Sequence, residues 1–125
     1  ILDIAPTIYD MTGSEYIKIK NYDLKGSSIL PYVKGFSVKI HSDDYVFSFE
    51  HSGNSVLRKG SWKIINKINP FDKKNLELFH VDDFMEQNNV RENNIEIFDS
   101  LYMDWDNYVK ATKIILPSPY IDDLN

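Results

Sequence analysis

Three histidines, three acidic pairs and no cysteine are the residues with which this chain could do chemistry. His41, His51 and His80 supply imidazoles, and Asp43-Asp44, Asp82-Asp83 and Asp122-Asp123 supply the carboxylate pairs. Imidazole nitrogens and carboxylate oxygens bind zinc when they converge on one point. The tight HExxH type of spacing is absent. His41 and His51 fall near opposite ends of one expected strand, roughly 30 Å apart at about 3.3 Å per residue, so they cannot share an ion without a sharp bend. No EF-hand loop, Gly-rich phosphate loop, nucleophile elbow or Cys–His arrangement occurs. A hydrolytic carboxylate pair needs a separation that nothing in the sequence sets. The expectation is a protein without catalytic residues, metal ligands or cofactor, its acidic pairs serving as turn caps and solubilising charge. A metal-dependent hydrolase is the alternative, and it needs a cluster formed only in the fold.

Binding chemistry is better represented. Residues 44–65, DYVFSFEHSGNSVLRKGSWKII, read as two strands about a Gly53-Asn54 turn, because Tyr45, Phe47 and Phe49 alternate with Val46, Ser48 and Glu50. That register pairs His51 with Val56, Phe49 with Arg58, Phe47 with Gly60 and Tyr45 with Trp62. It puts Tyr45, Phe47, Phe49, His51, Val56, Arg58, Gly60 and Trp62 on one face, expected to be the core side. Gly60 opposite Phe47 would leave room for the ring, and a bulge near Gly60 is the risk to the register. In a barrel, Phe47, Phe49 and Trp62 would line an apolar cavity, with His51 and Arg58 at its mouth as candidate ligand-binding residues. The plainer alternative for Arg58 is a cation–π contact with Phe49.

A second candidate is electrostatic. Residues 82–106 carry eight carboxylates and one basic residue, Arg91, whereas eleven of the fourteen Lys and Arg lie at or before Lys74. Tyr102, Trp105 and Tyr108 beside Asp104 and Asp106 are candidate partner-binding residues, aromatic anchors on an acidic ground. An acidic inhibitor or immunity-type protein facing a basic partner would look like this. A solvated acidic loop is the simpler reading.

These residues need elements to hold them. Residues 1–13 read as an N-terminal arm interrupted by Pro6. Strand character follows at 15–23, where Ile17 and Ile19 alternate with Lys18 and Lys20, and at 29–41, with Pro31 and Gly35 marking an edge and a bend. The hairpin comes next, then a loop through Asn69-Pro70 and a strand at 75–81. Residues 82–94 read as one or two helical turns or a polar loop, with Asp82 or Asp83 as cap. Residues 94–98, 101–105 and 108–116 read as strands, the last with a rival helical spacing through Val109, Thr112, Lys113 and Leu116. Pro117 and Pro119 open a C-terminal tail, 117–125. Short strands with a turn signal every ten or so residues predict a mostly-β domain: an antiparallel meander forming a small barrel or half-barrel, with at most one short helix.

Bulk numbers agree. A chain of 125 residues is expected to be a single domain, and 42% hydrophobic with 14% aromatic residues argues against disorder. A net charge of −5 makes nucleic acid an unexpected partner. No apolar run is long enough for a transmembrane segment. Starting at Ile1 is compatible with removal of a signal or lipid-bearing segment, and the Lys, Asn and Ile usage has a bacterial flavour, so a secreted or surface-anchored, extracytoplasmic location is expected.

The order TGSEY, YVFSFEHSGN, KGSWKI and LELF resembles small bacterial lipocalin-like (calycin-type) β-barrel domains over residues 11–80. The first motif departs from that pattern, with Tyr16 where Trp is usual and one residue late. The resemblance implies a meander barrel or half-barrel with a possible ligand cavity. The function expected is a non-catalytic binding or interaction module for a protein partner or apolar ligand.

Overall fold

The computed structural model describes residues 1–15 and 24–116. Residues 16–23 of the strand expected at 15–23, and the tail 117–125, lie outside them. The chain divides into two compact units, Ile1–Ser42 and Asp43–Asn125.

In Ile1–Ser42 the arm is a helix, α1 (Ile4–Thr12), ended by Gly13 in the left-handed conformation, with the Gly13 amide bonded to the Tyr9 carbonyl. Pro6 falls in its first turn, where no amide hydrogen is needed. Residues 29–41, expected as a strand, hold only the short helix α2 (Leu30–Val33), with Pro31 in its first turn. Strand alternation at Phe36, Val38 and Ile40 was not enough without a neighbouring strand to pair with among the described residues.

The Asp43–Asn125 unit carries the expected antiparallel meander, with one main helix beside it. Strands β1 (Val46–His51), β2 (Asn54–Lys59), β3 (Trp62–Asn66) and β4 (Glu77–His80) lie in the order β1-β2-β3-β4. All neighbours are antiparallel. Among the described residues the sheet is not closed into a barrel.

Two details of the register differ from the sequence reading. The first turn is Ser52-Gly53, not Gly53-Asn54, so that His51 faces Asn54, Phe49 faces Val56 and Phe47 faces Arg58. Both turn residues have positive φ, 52° and 84°, as a right-twisting two-residue hairpin requires. The run 55–65 is two strands rather than one. It folds at Gly60-Ser61, so that Lys59 faces Trp62. Gly60 has φ of 54° there, and a Cβ on it would lie 3.1 Å from the Asp43 carbonyl oxygen.

The third helix, α3 (Ile95–Thr112), replaces the strands expected at 94–98 and 101–105, and through Thr112 it follows the rival helical reading of 108–116. Its spacing explains it: Phe98, Leu101 and Trp105 recur at helical intervals and all are buried. They pack on Leu57, Ile64 and Leu78, which face one another across β2, β3 and β4. Leu76 completes this core. Residues 82–94 form turns and a short 3-10 helix, Arg91–Asn93. Arg91 fixes that segment by donating to the carbonyls of Lys73, Lys74 and Leu76, with its guanidinium 3.9 Å from the Phe98 ring centre. Asp83 accepts from the amides of Gln87 and Asn88, which holds its carboxyl below the ordinary range.

Candidate functional site

Side chains alternate across a strand, so the register assigns each hairpin residue to a face. Leu57 points toward α3, and so do Val46 and Trp62. Phe47, Phe49, His51, Val56 and Arg58 therefore point the other way. The aromatic side expected to be the core is the outer face of the sheet. Phe47 is 42% exposed and Phe49 55% exposed. The expected grouping is right for β1 and β2, but Trp62 falls on the opposite face because the chain turns at Gly60-Ser61, and the core lies on that opposite side, where α3 packs.

The five candidate ligand residues separate accordingly. Phe49 and His51 stack at 6.4 Å between ring centres, nearly parallel. Arg58 shares their face, and its Nε–H approaches the Gly60 carbonyl at 3.5 Å. Trp62 is on the other side, edge-on to the His80 ring at 5.1 Å. It lines a cleft of about 460 Å³ with Lys59, Ser61, Glu96 and Ser100. No enclosed cavity is formed by Phe47, Phe49 and Trp62 together, since an open sheet separates the first two from the third.

On β3 and β4 the outer face is largely covered. Phe79 is 1% exposed, and the Lys67 ammonium sits 4.9 Å from its ring centre. Glu86 bridges to Lys63 at 3.1 Å and to Lys67 at 3.1 Å, pinning the 82–88 segment. Burial pushes the Glu86 carboxyl up, yet the two ammonium groups outweigh it and hold it below the ordinary carboxylate range. Lys67 is held above the ordinary lysine range: burial works against this, and Glu86 and Glu77 prevail. Phe84 and Met85 beside this anchor are largely exposed.

The acidic aromatic set lies on α3. Trp105 is 2% exposed and stacks on Phe71 at 5.6 Å and near Tyr108 at 5.7 Å. It is a core residue, not an exposed anchor. Tyr102 is half-buried, stacked with Phe98, with the Lys73 ammonium 4.1 Å from its ring centre. Asp104 pairs with Lys59 at 2.8 Å, and Asp106 pairs with Lys110 one turn on. Four of the eight carboxylates of the acidic segment, Glu86, Asp99, Asp104 and Asp106, pair with the chain's own lysines. Sequence separation of opposite charges concealed contacts that the fold makes.

The histidines stay apart in role. His41 contacts Asp3 at 3.0 Å, His51 stacks on Phe49, and His80 approaches Asp82 at 3.4 Å. Among the described residues no group of three or more His, Asp or Glu could hold a metal ion. No helix among them is long and apolar enough to cross a membrane.

No protein-family model and no curated protein matches the chain. Solved structures do. The crystal structure of Ps i-CgsB is similar with a TM-score of 0.64 at 18% identity, over 85% of this chain and 23% of that one. Ps i-CgsB in complex with k-i-k-neocarrahexaose is similar with a TM-score of 0.63 at 18% identity and the same coverage. The likeness concerns the fold, and the chain spans about a quarter of the length of the proteins it matches.

Proposed function

We propose that the Asp43–Asn125 unit is a non-catalytic interaction module that docks through the outer face of its sheet onto an apolar protein surface. The observation that carries this reading is the exposure of Phe47 and Phe49, adjacent on one face of a sheet whose other face is filled by α3. Large aromatics are costly to leave in water and supply binding anchors when covered. Arg58 and His51 at the margin add polar specificity. An apolar small molecule is a poorer fit, because the face is open and encloses no cavity. An inhibitor acting through Tyr102, Trp105 and Tyr108 is also a poorer fit, because Trp105 is core and Asp104 and Asp106 are already paired.

The likeness to a quarter of Ps i-CgsB supports a setting within a longer polypeptide. The k-i-k-neocarrahexaose complex supports one that handles oligosaccharides. The module itself contributes contact rather than chemistry in this reading. An extracytoplasmic, bacterial setting is part of the same proposal.

The test is site-directed photocrosslinking in the full product of the gene, with Phe49 replaced by benzoylphenylalanine. A crosslink mapping to an apolar protein segment is expected. Yield no greater than from the same probe at the exposed Asn107 on α3 would overturn the reading.

A further inference from the structure

The helix α1 is amphipathic in the wrong sense for a self-contained unit. Its polar stripe, Asp3, Thr7 and Asp10, is spaced at three to four residues and faces its own unit. The Ser27 amide donates to Asp3 at 2.8 Å, the Ile29 amide donates to Thr7 Oγ1 at 2.9 Å, and Ser28 Oγ donates to Asp10 at 2.6 Å. His41 closes on Asp3 from the far end of the unit. The neighbouring stripe, one residue on and about 100° around the helix, is Ile4, Ile8 and Met11. These are 54%, 55% and 67% exposed. No described residue of Ile1–Ser42 is buried. Among the described residues this unit therefore shows no buried apolar core on which α1 could rest.

We infer that the Ile4–Ile8–Met11 stripe is a docking surface and that its occupant is the body of the same, longer polypeptide. The inference rests on the reading that this chain is part of a larger one. The likeness to Ps i-CgsB covers more of this chain than the Asp43–Asn125 unit accounts for, so it extends into Ile1–Ser42, while most of that protein lies beyond it. A helix held by its polar side, with its apolar side outward, is what a segment looks like when it lies on a hydrophobic surface supplied from elsewhere. An anionic lipid surface is a poor match. Residues 1–15 carry Asp3, Asp10 and Glu15 and no lysine or arginine, whereas interfacial helices are rich in basic residues.

Amide hydrogen exchange across residues 4–12 decides the matter, measured on the 125-residue chain and on the full product of the gene, each with and without Ile8→Lys. Docking predicts that α1 amides exchange at least about tenfold more slowly in the full product than in the short chain. Ile8→Lys should remove that difference, and the milder Ile8→Gln should reduce it where the lysine variant does not fold. Equal exchange in both proteins overturns the inference, as does a gene product no longer than this chain. Ile8-dependent dimerisation of the short chain in sedimentation also overturns it, in favour of a second copy. Crosslinking at Phe49 is read separately. Lost α1 protection with the Phe49 crosslink intact sinks this inference alone, and the reverse sinks only the sheet-face reading.

Discussion

Asn66 fastens the hairpin from thirteen residues away. Its side-chain amide donates to the Gly53 carbonyl at 2.8 Å and to the Ile68 carbonyl at 2.7 Å, and the residue is 1% exposed. One side chain thus ties the β1–β2 turn to the end of β3. Removing it leaves the Gly53 carbonyl, at a buried position, without this donor, which costs more than the lost bond alone. Asn66→Ala is expected to destabilise the unit by about 2 kcal/mol, read as a lower urea midpoint with an unchanged slope.

Ser52 stands at a position that favours another residue. Its φ of 52° is uncommon for a side-chain-bearing residue, and Gly53 follows it at 84°. Asn tolerates this region better, and Asn-Gly is a preferred pair for such turns. Ser52→Asn should stabilise by about 0.5 kcal/mol. Gly53→Ala should do the opposite, by more than about 1 kcal/mol, since its Cβ would lie 2.6 Å from the Asn69 side chain as well as straining the turn. Thermal unfolding of the two variants checks both signs.

Trp105 and Phe49 exchange the roles their sequence contexts suggest. Trp105 sits among carboxylates and is buried, whereas Phe49 sits in a strand and is half-exposed. Trp105→Ala is expected to cost about 3–5 kcal/mol by opening a cavity under α3. Phe49→Ser should change stability by no more than about 0.5 kcal/mol in the 125-residue chain. Equal costs, measured by urea denaturation, would contradict the assignment of faces.

That exchange shows what was legible in the sequence. Period-two alternation from Tyr45 to Phe49 located β1 and grouped its faces, because side-chain parity survives a change of turn. It did not say which face would be covered, since that depends on α3. Within 94–105, Ile95-Glu96-Ile97 mimics a strand, while the longer Phe98–Leu101–Trp105 interval belongs to the helix. A short window favoured the former. Gly60-Ser61 was legible as a disturbance in the run but not as a hairpin, because Trp62-Lys63-Ile64-Ile65 continues the strand composition beyond it. The acidic stretch was visible as charge. Its partners Lys59, Lys63, Lys67 and Lys73 are distant in sequence and became neighbours only by tertiary packing.

The Glu86 bridge gives the unit a pH dependence with a definite sign. The folded-state pKa of Glu86 is lowered from its ordinary 4.5: burial raises it, and Lys67 and Lys63 bring it down past that value. A carboxyl with a depressed folded-state pKa binds protons more weakly when folded than when unfolded. Its contribution is therefore complete above the unfolded value and is lost as pH falls through the folded one. Lys67 is raised above 10.5, so its share is complete below that value and is lost as pH rises through the folded one. The bridge should stabilise across the neutral range and weaken at both extremes. Glu86→Gln is expected to lower the urea midpoint at pH 7 and to lose less than the parent between pH 5 and pH 3. Asp83, also depressed, is unchanged in the variant and leaves a residual acid-side slope in both proteins. Identical acid limbs in the two proteins would mean that Glu86 is not held by Lys63 and Lys67 in solution.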